Sequence, residues 1–142
     1  MSQSSSKRVK QLSRRVRVLI ADDHPVIRRM VRSTLQSYRH FEVCGEATDG
    51  AQAIEEAKKL KPDVVVLNIS MPVLNGFEAA TAIRTNLPDS AIVILSTNTD
   101  RRFIEEAKKI GVRAYVAKTK AGQELVKAVE AAVLGEDFVI VE

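Results

Sequence analysis

Asp63-Val64-Val65-Val66-Leu67-Asn68 holds four consecutive branched apolar residues between two polar ones, and Ala91-Ile92-Val93-Ile94-Leu95-Ser96 repeats the idea. Runs this short and this uniformly apolar predict strands buried on both faces, as in a parallel sheet covered by helices on each side. Working outward, Val16 to Asp22 and Ala114 to Ala117 read the same way. In Phe41 to Ala47, by contrast, Phe41, Val43 and Gly45 alternate with polar residues, which predicts an edge strand. Segments of helical period lie between these runs: Ile27, Met30, Val31, Thr34, Leu35 and Tyr38; Ile54, Ala57 and Leu60; Phe77, Ala80 and Ile83; Phe103, Ile104, Ala107 and Ile110; and Leu125 to Val133. Pro25 suits a first helical turn, and Gly111 and Gly135 are placed to end helices. The alternation of strand and helix makes this an α/β chain with a five-stranded parallel sheet.

The chain has 142 residues, one domain's worth, and is 45% hydrophobic and 28% charged, which excludes collagen-like and low-complexity classes. No run approaches the roughly 20 apolar residues of a membrane span, and the N-terminus lacks the apolar core of a secretory signal, so a cytoplasmic, membrane-free protein is expected. A single cysteine, Cys44, and two histidines, His24 and His40, leave too few ligands for structural zinc and no internal disulfide. The formal net charge of +4 is concentrated in residues 1–15, which carry five basic residues and no acid. The rest holds 17 basic against 18 acidic residues, so its folded surface is expected to be neutral and direct nucleic-acid binding is not. Residues 1–15 read as a solvated leader with too little apolar surface to order itself, 16–137 as the domain, and 138–142 as a short tail.

Ile54-Glu-Glu-Ala-Lys-Lys-Leu60 returns as Ile104-Glu-Glu-Ala-Lys-Lys-Ile110. Each copy is one apolar stripe with Glu-to-Lys spacing at i, i+4, so both are expected to be solvent faces of helices, with Glu55 opposite Lys59 and Glu105 opposite Lys109. Of the asparagines, Asn75 before Gly76 is expected to deamidate more readily than Asn68 before the branched Ile69.

Ligands of an open parallel sheet bind beyond the carboxyl ends of its strands, where the strand order reverses. In the doubly wound, flavodoxin-like order 2-1-3-4-5, the first and third strands flank that point. The strand ends there are Asp22 and Asp23, Asn68, Ser96 with Thr97, and Lys118. Two carboxylates and a carbonyl oxygen suit Mg²⁺, a hard cation that keeps several waters. A hydroxyl and an ammonium group on the neighbouring strands suit the oxygens of a phosphoryl group.

These residues and their surroundings resemble the receiver domains of two-component response regulators. The matching segments are VRVLIADDHPVIRRMV at 16–31, DVVVLNISMPVLNGFEA at 63–79 with its Met71-Pro72 and Asn75-Gly76 pairs, AIVILST at 91–97 and GVRAYVAK at 111–118. The short ADDH and the serine of ILST look like the branch that carries helix-turn-helix outputs and regulates transcription. The resemblance implies Mg²⁺ held by Asp22, Asp23 and the Ser70 carbonyl together with position 68. It implies Ser96 as switch hydroxyl, Tyr115 as switch aromatic, and Lys118 as the cation facing the phosphoryl group. His24 is expected on the rim rather than on the metal.

Asn68 departs from the family, because it stands where the phospho-accepting Asp belongs. An amide is a poor nucleophile toward phosphorus, its nitrogen lone pair being delocalised, so aspartyl phosphate is not expected and the Mg²⁺ site is expected to be weakened. An introduced substitution and a natural degenerate receiver both remain open. Without a phosphoryl group, nothing is expected to draw Ser96 forward and turn Tyr115 inward, which leaves one state, the inactive one. Partners implied are a sensor histidine kinase or phosphotransfer protein and a second copy docked on the face of the fourth helix, fifth strand and fifth helix. The function expected is that of a signalling module and not an enzyme. A Mg²⁺-dependent phosphatase or phosphotransferase of similar topology is the alternative, and a flavin electron carrier a poorer one. Thr119, where many receivers have proline, predicts a trans or a strained bond after Lys118.

Overall fold

The computed structural model of the chain describes residues 14–71 and 74–142. Most of the basic leader and Pro72 of the Met-Pro pair lie outside the described residues. The first leader residues that are described are tied to the sheet: Arg14 pairs with Asp63 through both terminal nitrogens, at 3.2 and 2.8 Å, and Arg15 donates to the Phe41 carbonyl.

Five strands lie where the apolar runs predict them: β1 Val16–Ala21, β2 Phe41–Ala47, β3 Val64–Asn68, β4 Ala91–Ser96 and β5 Ala114–Ala117. Their helices are α1 Pro25–Gln36, α2 Gly50–Leu60, α3 Gly76–Asn86, α4 Arg101–Ile110 and α5 Ala121–Val133, with a short 3₁₀ turn over Lys118–Lys120. The order β2-β1-β3-β4-β5 is the expected flavodoxin-like one, and every pairing is parallel. The sheet is nevertheless six strands wide. The segment read as a tail forms β6 Val139–Val141 along the outer side of β5, with Tyr115 opposite Ile140. Three residues after a glycine in the left-handed region (Gly135, φ 73°) carry too little pattern to be seen as a strand in the sequence.

β3 shows why its apolar run is unbroken. Val65 and Leu67 face the core shared with α2, α3 and α4, while Val64 and Val66 face the core shared with α1 and α5. Both faces are closed, and all five residues are buried. β2 lies at the edge, as its alternation predicts, and only its two ends are fully buried.

Helix starts follow local chemistry. Pro25 opens α1, where its missing amide proton costs nothing. The Asp49 side chain caps α2 by accepting from the Gln52 amide, and Asn75 with Glu78 forms a reciprocal capping box on α3. Gly111 ends α4 in the left-handed region at φ 102°. Lys61 adopts the same region at φ 48° to end α2, without the freedom glycine would have there.

At two places the structure departs from sequence expectation. Glu55 and Lys59, and Glu105 and Lys109, are exposed as expected, yet neither couple closes to ion-pair distance; Glu105 instead faces Arg101 at 3.8 Å. Exposed pairs of this kind have too little to gain to hold long side chains in one geometry. The Gly76 amide, whose nitrogen would have to attack Asn75 during deamidation, donates to the Ile69 carbonyl at 2.6 Å. The sequence pair is labile in isolation, but here its nucleophile is engaged. Among the described residues every peptide bond is trans, that between Lys118 and Thr119 included.

Candidate functional site

The strand order brings the carboxyl ends of β1 and β3 side by side, Ala21 pairing with Leu67, and places β4 beyond β3 with Asn68 opposite Leu95. Asp22, Asp23, Asn68, Ser70, Ser96 and Lys118 therefore gather on one rim. Asp22, Asn68 and Ser96 are buried, and Asp23 is half-buried.

Asn68 is the hub. Its Nδ2 donates to the Ser70 carbonyl at 2.8 Å and to Asp23 Oδ1 at 3.1 Å, with Asp22 Oδ1 at 3.4 Å. The loop that presents the Ser70 carbonyl is held by Gly76. A Cβ there would lie 2.2 Å from the Asn68 carbonyl oxygen and 2.6 Å from Ile69 Cα, so only glycine lets α3 start against the end of β3.

Asp22 is braced from four sides. Oδ1 accepts from the His24 amide at 2.9 Å and faces His24 Nδ1 at 3.0 Å; Oδ2 forms no hydrogen bond and faces Lys118 Nζ at 3.1 Å. Its backbone carbonyl accepts from Arg28, whose Nε pairs with Glu46 on β2 at 2.9 Å. His24 thus has more to do than sit on the rim. Its ring is largely exposed, as expected, but Nδ1 also lies 3.3 Å from Asp23 Oδ1, and Asp22, Asp23 and His24 form an acidic cluster with an imidazole lid.

Ser96 and Tyr115, expected as switch residues, form a second group. Tyr115 is fully buried and its hydroxyl donates to the Asn98 carbonyl. Ser96 Oγ accepts from the Asn98 amide at 2.9 Å, and Asn98 Oδ1 accepts from the Asp100 amide at 2.8 Å, so the loop from β4 to α4 is a chain of side-chain-to-backbone turns. Burial pushes the Tyr115 phenol above its ordinary value, with the Ser96 hydroxyl acting in the opposite direction. The inward turn of Tyr115, which the sequence led us to tie to a phosphoryl group, is present with Asn68 in place. Ser96 and Tyr115 meet each other through Asn98, while the cluster at Asp22 is a separate network.

Three contributors were not legible beforehand. Arg28 and Glu46 act across elements and leave no local pattern. Asn98 lies in Ser96-Thr-Asn-Thr-Asp100, a run of turn-forming residues that could have signalled a structured loop.

Comparison with known proteins assigns most of the chain to one family. The family described as the response regulator receiver domain matches residues 18–130. The chain belongs to that family. Among curated relatives it is 38% identical over 122 residues to the transcriptional regulatory protein YxjL of Bacillus subtilis (strain 168), covering 86% of this chain and 56% of the relative. It is 32% identical over 121 residues to the response regulator protein VraR of Staphylococcus aureus (strain COL), covering 85% of this chain and 58% of the relative. This receiver thus spans about half the length of the curated relatives it matches. Among solved structures it is similar to the non-phosphorylated receiver domain of the stress response regulator RcsB from Escherichia coli, at TM-score 0.82 and 27% identity, over 90% of this chain and 99% of the other. It is similar too to the response regulator domain of Thermotoga maritima CheB, at TM-score 0.78 and 29% identity, over 84% of this chain and 97% of the other. β6 lies beyond the residues that the family model matches.

The residues that the resemblance implies for Mg²⁺ offer two carboxylates and a backbone carbonyl, donors of the kind a hard cation takes. Their fit is altered by Asn68, because the point on which Asp22 Oδ1, Asp23 Oδ1 and the Ser70 carbonyl converge is the position of its amide nitrogen. Among the described residues no helix is long and apolar enough to cross a membrane.

Proposed function

We propose that this receiver takes part in two-component signalling by protein contact, without carrying a phosphoryl group. The observation behind this is Asn68, buried at the end of β3 where the surrounding Asp22, Asp23, Ser96 and Lys118 would serve an acceptor carboxylate. Phosphoryl transfer to that position would need an anionic carboxylate oxygen as nucleophile, and the neutral amide supplies none. Tyr115 turned inward onto Asn98 supports a module whose switch side does not wait for phosphorylation. With Asp22, Asp23 and the Ser70 carbonyl retained, Mg²⁺ binds weakly at best. Ser96 and Lys118 keep the places of switch hydroxyl and phosphoryl-facing cation.

The partners that follow are a sensor histidine kinase or phosphotransfer protein, and a second copy at the face of α4 and α5. There β6 lies along β5, so the second copy meets β6 rather than an open β5. Control of transcription is the role that the relatives' names suggest for the whole protein. Location in the cytoplasm accords with the kinase partner. The role is not enzymatic, since a phosphatase or phosphotransferase of this topology would need the same missing carboxylate.

Incubation with Mg²⁺ and acetyl phosphate tests the proposal. No acid-stable, base-labile adduct should form on the chain, and one should form at position 68 of Asn68→Asp. A stoichiometric adduct in this pocket of the unsubstituted chain, mapped by mass spectrometry, would overturn it. Beryllofluoride should likewise leave sedimentation unchanged.

A further inference from the structure

We infer that the Asn68 amide is a resident substitute for the cation: it satisfies the oxygens a divalent ion would bind and competes with the ion for them. This rests on the receiver reading above and specifies how its central site is regulated.

The geometry is that of a donor plugging a cradle of acceptors. Asp22 Oδ1, Asp23 Oδ1 and the Ser70 carbonyl come from three separate points of the backbone, and all lie within 3.4 Å of Nδ2. The amide orientation is set by this surrounding. Turned over, Asn68 would press its own carbonyl oxygen against three oxygens with no proton among them. With Nδ2 inward, two N–H groups serve three acceptors, the shorter contacts going to Ser70 and Asp23. Asp22 Oδ1, the most distant, is compensated by the His24 amide at 2.9 Å, and Oδ2 faces Lys118. The acceptors are therefore supplied with donors by the protein itself.

Displacement is costly on steric grounds as well. Asn68 is 4% exposed, Gly76 packs on its carbonyl, and Mg²⁺ needs oxygens at about 2.0–2.1 Å in near-octahedral array. An ion cannot share the centre with the amide nitrogen, so the side chain has to rotate out and leave its three contacts. Loss of a carboxylate alone would lower affinity through charge. A plug lowers it further, and does so in a way that removing the side chain reverses.

That reversal separates the two. Isothermal titration with MgCl₂ should give tighter binding to Asn68→Ala than to the unsubstituted chain, by about tenfold, the equivalent of one charge-assisted hydrogen bond no longer to be broken. This is expected although alanine adds no ligand. Mg²⁺ should raise the melting temperature of Asn68→Ala and leave that of the unsubstituted chain in place. Equal or weaker binding by Asn68→Ala would refute the plug. If Asn68→Ala does not fold, NMR of the unsubstituted chain decides: the Asn68 side-chain amide protons should be protected and unmoved by millimolar Mg²⁺. Rapid exchange, or shifts saturating at micromolar Mg²⁺, would overturn the inference. Acetyl phosphate with Asn68→Asp reports on the receiver reading independently, because an adduct there leaves that reading intact whatever the alanine variant does.

Discussion

Lys118 Nζ lies 3.1 Å from Asp22 Oδ2, and both side chains are closed off from solvent. This oxygen forms no hydrogen bond, so the ammonium group is what compensates it.

Lys118→Met should therefore destabilise the domain by about 3 kcal/mol, since removing one partner strands the other's charge in the interior. The double variant Lys118→Met/Asp22→Asn should recover part of that loss. Urea denaturation of the four proteins of the cycle measures it, and additive losses would show that the pair does not interact.

Tyr115 makes stability depend on pH at the alkaline end. Burial raises its phenol, so above the ordinary value of about 10 the folded chain holds a proton that the unfolded chain has lost. Stability is unaffected by this group below about pH 10 and falls as pH rises beyond it. Tyr115→Phe should flatten that decline and cost about 1 kcal/mol at neutral pH for the lost bond to Asn98. An unaltered alkaline profile in the variant would assign the decline elsewhere.

Gly76→Ala sets a methyl group against the backbone of Asn68 and Ile69 and should cost about 2–3 kcal/mol. Chemical shifts of Asn68 and Ser70 should move with it, because the added carbon must push the end of β3 away. A silent substitution would mean that the approach of α3 to β3 is looser than described.

Lys61→Gly should act in the opposite direction. The left-handed backbone at φ 48° strains lysine and not glycine, so relief should slightly exceed glycine's extra entropy in the unfolded chain, for a net gain of about 0.5 kcal/mol. Thermal unfolding reads it as a rise of a degree or two.

Strands were the legible part of this chain. Val64 to Leu67 announces two buried faces by being apolar throughout, and Phe41 to Ala47 announces an edge by not being so. Residue identities at the strand ends were equally open to reading, since Asp22, Asp23, Asn68, Ser96 and Lys118 are placed by strand order alone. What local pattern does not encode is which atom meets which. The inward amide of Asn68 and the brace from Glu46 through Arg28 to the Asp22 carbonyl join elements far apart in sequence, and the return of His24 onto its neighbours Asp22 and Asp23 is set by a side-chain rotamer that residue identity does not fix. β6 escaped for a different reason, since three residues are too few to display a period.

β6 also changes what a neighbouring chain would encounter. Without it, β5 would offer a buried-type strand, Ala114–Ala117, to any chain able to pair with it. With it, the border of the sheet is a three-residue strand bracketed by Glu136 and Asp137 before and Glu142 after. Two such borders set antiparallel would bring carboxylates of one copy against those of the other, and so short a ladder offers little in return. The sheet is in this sense guarded at its sixth strand: two copies of the chain are discouraged from joining their sheets through paired β6 edges.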